Sequence, residues 1–320
     1  MWIADSLATI KTPTSVALGN FDGIHRGHRQ VIQPIFSEIS GRDSLDAATT
    51  AAFTVQPLAT VVSFCPHPQE FFTGQRRLLL TPLAEKIHYL QAIGVEQFVL
   101  LPFDQHLACL NPQEFVEKIL IQRLQVKQIS IGQDFRFGQK RAGTAADLQA
   151  IAIQHHIPVT IAPLHTCEGE RISSSAIRHN LEQGNVPQAN LLLGRPFTLL
   201  GQVVQGQQLG RTIGFPTANL QVPEEKFLPR QGVYSVWVQV GGLEEETRLP
   251  GVMNIGNRPT VNGTQQTIEV HLLDWSGDLY GQTLAVSLDS FLRSEQKFAS
   301  LDDLKAQIAQ DSQVARSRLR

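Results

Sequence analysis

Short apolar runs rich in β-branched residues, "SVALG", "TVVSF", "QFVLLPF", "KQISIG" and "PVTIAPL", punctuate the chain up to about residue 185, with helix-length amphipathic stretches between them. Strands alternating with helices predict a parallel sheet with crossover helices, doubly wound. Helix starts are legible as well. In "NPQEFVEKILIQRL", Asn111 is an N-cap, Pro112 takes the first helical position and Glu114 stands three residues past the cap. Thr144 and Asp147 repeat the pattern at the head of "TAADLQAIAIQHH". An earlier helix, after Gly27, carries Val31, Ile32, Ile35, Phe36 and Ile39 on one face. The small-residue stretch "GRDSLDAATTAAFTVQPLAT" is weakly patterned and reads as a loop.

Gly184, Pro187, Gly194 and Pro196 then mark a connection, and the period changes to two. The runs "FTLLGQVVQG", "GVYSVWVQVG", "TRLPGVMNIG", "TIEVHLLDW" and "QTLAVSLDSF" are strand candidates separated by Gly, Asn and Asp turns. About six such strands closing on themselves predict a small antiparallel β-barrel. The tail "SLDDLKAQIAQDSQVARSRLR" reads as an amphipathic helix capped at Ser300, with Leu301, Leu304 and Ile308 inward. The expected fold is therefore α/β plus β. A Rossmann-like parallel-sheet domain spans residues 1–185, and a barrel domain with a C-terminal helix spans 186–320.

Composition narrows the function. With 320 residues, 42% of them hydrophobic, the chain can bury two cores. The net charge of −2 gives no global attraction for a polyanion, which disfavours a dedicated nucleic-acid binder. The three cysteines are far apart and fit neither a disulfide framework nor a paired metal clamp, so a reducing compartment is the simplest reading. No basic-then-apolar leader opens the sequence, and nowhere do about 18 apolar residues run together, so a cytoplasmic protein without a membrane span is expected.

The first strand-to-helix turn of an open parallel sheet is where a helix N-terminus can meet a phosphate. Here that turn reads "GNFDGIHRGHRQ", which is neither GxGxxG nor GxxxxGK[ST]. His25 and His28 stand three apart, so both rings can offer N–H groups to one anion, while Gly27 lets the backbone come close. Such a pair suits nucleotidyl transfer, in which an incoming phosphate attacks an α-phosphorus and the enzyme positions groups and offsets charge. Plain loop histidines or half of a zinc site are the alternatives, though no carboxylate or cysteine stands close at ligand spacing. Asp22 reads equally as a turn or capping residue. Later, "RISSSAIRHNLEQG" places Ser173, Ser174, Ser175 and Arg178 at a helix start, where they could hold phosphates or simply cap the helix.

In the second half, Gly206, Gly210 and Gly214 recur every four residues around Arg211, a flap whose amides could close on phosphates. Thr217 and Asn219, one residue apart in "PTAN", would share a face if extended and offer a hydroxyl and an amide oxygen to a hard cation. In "TIEVHLLD", Ile268, Val270 and Leu272 alternate onto one face, leaving Glu269 and His271 on the other.

Taken together, "HRGH" and the Ser/Arg segment resemble the HIGH-type nucleotidyltransferase superfamily. With "IGQDFRFGQKRAG", "GRTIGFPTANL", "GVYSVWV", "GVMNIGNRPT" and "IEVHLLDW" following in order, the chain closely resembles the prokaryotic bifunctional riboflavin kinase/FMN adenylyltransferase family from about Ser15 to the final helix. The resemblance implies that the barrel phosphorylates riboflavin with ATP to FMN, and that the N-terminal domain joins FMN to AMP from a second ATP, giving FAD and pyrophosphate. It implies Mg²⁺ at both steps and no tightly bound cofactor; a monomer or weak homo-oligomer is expected. His25 and His28 would be phosphate ligands, sharing their turn with Asn20 and Asp22, and Ser174, Ser175 and Arg178 a second phosphate grip. Gly210, Arg211 and Gly214 would close on ATP, Thr217 and Asn219 would hold Mg-ATP, and Glu269 would be the general base. Asp134, Phe135 and Phe137 would line the adenylyltransferase site, although core packing explains the two phenylalanines equally well. Arg293 would lie near flavin or phosphate. In "SFCPHPQEF", His67 and both prolines match, but Cys65 stands where the family often has an acid.

Overall fold

The computed structural model describes residues 1–36, 55–206, 210, 214–260 and 263–319. It divides into two compact units, one of Met1–Arg77 with Leu83–Ile172, the other of Leu78–Pro82 with Ser173–Arg320.

In the first unit, the five apolar runs become β2 (Thr14–Leu18), β3 (Leu58–Cys65), β4 (Gln97–Pro102), β5 (Val126–Gly132) and β6 (Val159–Ala162). A sixth strand, β1 (Trp2–Ala4), pairs parallel with β4 and is too short for its period to show in the sequence. The sheet is parallel throughout, in the order β1-β4-β3-β2-β5-β6. Alternation along each strand separates two cores. Val16, Leu18 and Val62 face Phe115, Leu120 and Leu148 on one side, while Ala17 and Val61 face Ile32, Ile35 and Leu90 on the other. Ile32, Leu90 and Leu148 come from α1 (Arg26–Ile32), α3 (Leu83–Ala92) and α4 (Ala145–Gln154), Ile35 from a 3₁₀ turn after α1, and Phe115 and Leu120 from a π-helical segment, with the short α2 (Pro68–Thr73) after β3. The predicted helix after Gly27 ends at Ile32 and continues as a 3₁₀ turn through Phe36, with Ile39 outside the described residues. Most of the small-residue stretch between residues 41 and 60 also lies outside them, and β3 begins within its end. Asn111 and Thr144 form the expected capping boxes with Glu114 and Asp147. The Asn111 helix, however, is α-helical only over Pro112–Glu114 and π-helical over Phe115–Ile121.

From β2 the chain moves outward to β3 and β4, then returns to place β5 on the other side of β2. The carboxyl ends of β2 and β5 thus frame a topological switch point, where open sheets bind ligands.

The second unit contains a closed antiparallel barrel of β7 (Thr198–Val204), β8 (Ala218–Gln221), β9 (Gly232–Val240), β10 (Leu249–Thr260), β11 (Gly263–Leu272) and β12 (Thr283–Arg293), in the order β7-β8-β11-β10-β9-β12. It also holds α5 (Ser174–Gln183) and α6 (Val186–Leu193), so the units part after Ile172, earlier than the boundary expected at residue 185. The reason lies in long-range bonds that no local pattern announces. Arg230 N donates to Leu181 O at 3.0 Å, Asn190 Nδ2 donates to Leu288 O at 2.9 Å, and Asn190 Oδ1 accepts from Phe197 N at 2.7 Å. Segment Leu78–Pro82 belongs here too, since Leu79 bridges Lys226, whose buried ammonium donates to Leu80 O at 2.8 Å.

The tail forms α7 (Leu301–Arg318), capped by Ser300 as expected. Its inward face differs from the expectation in part: Leu301 is 65% exposed, Leu304 and Ile308 are half-buried, and Asp311, Ser312 and Ala315 are buried. Leu301 sits in the first turn, before the helix reaches the barrel, and the buried Asp311 is held there by an arginine of β12.

Candidate active sites

The turn after β2 carries the paired histidines. Phe21, Gly23 and Ile24 have φ of 48°, 98° and 41°, left-handed values that reverse the chain tightly before α1. His25 is the N-cap of α1: its Nδ1 accepts from His28 N at 3.2 Å, which leaves the proton of a neutral ring on Nε2. The His25 and His28 rings stack at 3.5 Å between centroids, inclined by 15°. Gly27 serves this stack, since a Cβ there would stand 3.3 Å from the His25 ring. His25 and Asp22 are buried, His28 is half-buried, and the Asn20 side chain is exposed.

Around this turn stand groups from β3, α2 and α3. His67 caps α2, accepting from Gln69 N at 3.1 Å in a capping box with Glu70. Burial and the Arg77 guanidinium hold its pKa down at about 4, against Glu70 and Asp22. Lys86 of α3 is buried, and its ammonium donates to Asn20 O at 2.9 Å. Burial pushes its pKa below the usual lysine value, opposed by Asp22 and then by Cys65, which is exposed at the end of β3. Phe64, Phe71, Phe72 and Phe103 form an edge-to-face cluster, with Phe72 67% exposed.

After β5, Asp134 is exposed and pairs with Arg171 at 2.6 Å. Phe137 is 5% exposed within the core and Phe135 is packed against it, their rings 5.8 Å apart. Core packing thus accounts for Phe137. Ser174, Ser175 and Arg178 lie on α5 in the second unit. Ser173 caps that helix, accepting from Ala176 N at 3.1 Å, and Arg178 Nη2 donates to Leu78 O at 2.7 Å.

The second unit gathers its own set. Register places Asn219 opposite Glu269, Glu269 opposite Asn254, Asn254 opposite Val233 and Val233 opposite Arg293, a row across five strands. Paired residues share a face, and this row lines a cavity of about 390 Å³ that Leu304, Ile308 and Asp311 of α7 also line. That volume suits a small-molecule ligand. Glu269 and His271 lie on the cavity side while Ile268, Val270 and Leu272 are buried, as their alternation implies. Thr217 and Gly210 line the same cavity. Gly206 and Gly210 lie against the PTAN segment: a Cβ at Gly206 would collide with the Asn219 side chain, and one at Gly210 with Phe215 O. Gly214 has φ +88°, and Arg211 lies outside the described residues. Arg293 lines the cavity, but its guanidinium is bound to Asp311 at 2.8 Å, which fastens α7 to β12.

Two family models match the chain, one in each half. One described as FAD synthetase matches residues 7–176, and one described as riboflavin kinase matches 193–319. The bifunctional riboflavin kinase/FMN adenylyltransferase of Escherichia coli K12 is 44% identical over 94% of this chain and 91% of its own. The chain belongs to the bifunctional riboflavin kinase/FMN adenylyltransferase family. The family member from Haemophilus influenzae is 38% identical over 95% of this chain and 93% of its own. A crystal structure described as a macrolide-efflux protein from Streptococcus pneumoniae superposes with a TM-score of 0.83, at 32% identity and 98% coverage of both chains. Among the described residues, no helix is long and apolar enough to cross a membrane.

No motif in the sequence marks Lys86, Asn254 or the phenylalanine cluster of Phe64, Phe71, Phe72 and Phe103 as site residues. For Lys86 a signal exists, because it stands four residues before the buried Leu90 and so falls on the inward stripe of α3. For Asn254 it is the register with Glu269, which only the fold supplies.

Proposed function

We propose that the chain makes FAD from riboflavin in two ATP-dependent steps, kinase chemistry in the barrel cavity and adenylyl transfer at the histidine turn. The row Asn219–Glu269–Asn254 inside one cavity carries the kinase assignment. Glu269 takes the proton of the ribityl 5′-hydroxyl as its oxygen attacks the γ-phosphorus of ATP; the bond to the β,γ-bridging oxygen breaks and ADP leaves. Thr217 and Asn219 offer hard oxygen donors, and because Mg²⁺ keeps waters and substrate phosphates as ligands, two protein oxygens fit it without an all-protein cage. When bound it neutralises phosphate charge.

At the other site, a phosphate oxygen of FMN attacks the α-phosphorus of ATP, the bond to the α,β-bridging oxygen breaks and pyrophosphate leaves. His25 presents Nε2–H because its Nδ1 is occupied, and His25 and His28 donate to nonbridging oxygens as charge builds there. The exposed Phe72 with its aromatic neighbours is proposed as a face for the flavin ring. We place the protein in the cytosol, where free, exposed Cys65 and Cys109 stay reduced.

Separating the flavins formed from riboflavin, ATP and Mg²⁺ tests this, with FMN and then FAD expected. Glu269→Gln should cut FMN formation by about 10²-fold or more while FAD still forms from supplied FMN, and His28→Ala should do the reverse. Equal loss of both activities in either variant would mean one shared site.

A further inference from the structure

The histidine turn is braced from beneath by a buried ammonium. Lys86, 8% exposed, donates to the main-chain carbonyl of Asn20 at 2.9 Å, and Ser63 Oγ donates to the same oxygen at 3.2 Å. Directly beyond that carbonyl, Phe21 and Ile24 adopt left-handed φ of 48° and 41°. Residues with a Cβ hold such conformations only where their surroundings fix them. A buried charge is costly unless something answers it, and Asp22, 4% exposed in the same turn, supplies the opposite sign. A methionine would fill the same space without that cost, so the charge is explained by what it holds.

We propose that Lys86 is a positioning residue for adenylyl transfer, locking the Asn20 carbonyl and thereby the Phe21–Ile24 turn so that His25 and His28 meet the α-phosphate in register. It touches no reacting atom. The proposal rests on the adenylyltransferase reading of the first unit.

The test compares Lys86→Met and Lys86→Arg with the unaltered protein, measuring FAD formation from supplied FMN and FMN formation from riboflavin in the same preparations. A misplacement near 1 Å costs about 10²-fold in rate, so Lys86→Met should lower kcat for FAD by about that factor with KM for ATP and FMN within threefold, and leave FMN formation within twofold. Lys86→Arg, which keeps the charge, should recover at least about tenfold of the loss. Magnesium and a nonhydrolysable ATP analogue should still bind Lys86→Met at the parent's stoichiometry, showing that the first unit is folded. Lys86→Met within threefold of the parent, a KM effect without a kcat effect, loss of analogue binding, or equal rates for Met and Arg would each overturn the proposal. Absence of FAD from the unaltered protein would instead overturn the adenylyltransferase reading itself, and this proposal with it.

Discussion

A proton on His67 is opposed by burial and by the neighbouring Arg77, which is why its pKa falls from 6.5 to about 4. Between those values the unfolded chain binds the proton and the folded one does not, so stability falls as pH drops through about 6.5 and the loss is complete below about 4. His67→Asn keeps an acceptor suited to the N-cap of α2 and removes the titration. Urea midpoints of the first unit should therefore fall less in the variant than in the parent between pH 6.5 and 4 and run parallel above it; equal slopes across that window would refute the assignment. At this scale the sequence is an uneven guide. The Pro-His-Pro spacing marks His67 but not its capping bond, since a cap depends on where the helix begins in space. Arg293 is marked by its motif, yet its partner Asp311 lies on the terminal helix and only the fold joins them.

Among the elements, the glycine-rich segment before β8 makes the sharpest prediction. Gly206 and Gly210 lack a Cβ where one would strike Asn219 or Phe215 O, so these two glycines lie directly against the PTAN segment. Gly214 differs, having a left-handed φ of +88° with open space where its Cβ would be. Gly206→Ala must displace the Asn219 amide and should lower riboflavin phosphorylation by about 10²-fold, whereas Gly214→Ala meets only backbone strain and should cost less than about tenfold. Kinase constants for the two variants check this, and equal losses would refute the steric role of Gly206 against Asn219. The elements themselves were readable because period two and period 3.6 are local properties of the chain. What escaped was non-local or too short: β1 at three residues, the π-helical turn after Glu114, and the allegiance of α5 to the barrel through Arg230 and Leu181.

For the molecule as a whole, a net charge of −2 supplies no field to draw in nucleotide, so ATP affinity must come from the local donors of each site. Two such sets are proposed, one on the His25–His28 stack of the first unit and one on Thr217 and Asn219 of the second. Perturbations at independent sites in separate units add. Titration with a nonhydrolysable ATP analogue and magnesium should therefore give two binding events per chain. His28→Ala should remove or weaken one, Asn219→Ala the other, and the double variant should show both losses with no further change. Kinetically, the double variant should phosphorylate riboflavin at the rate of Asn219→Ala alone and adenylylate supplied FMN at the rate of His28→Ala alone. A single binding event in the parent, or a double variant worse than the sum of its parts, would mean that one nucleotide serves both reactions, and the barrel row and the histidine turn would then have to be read as parts of a single catalytic centre.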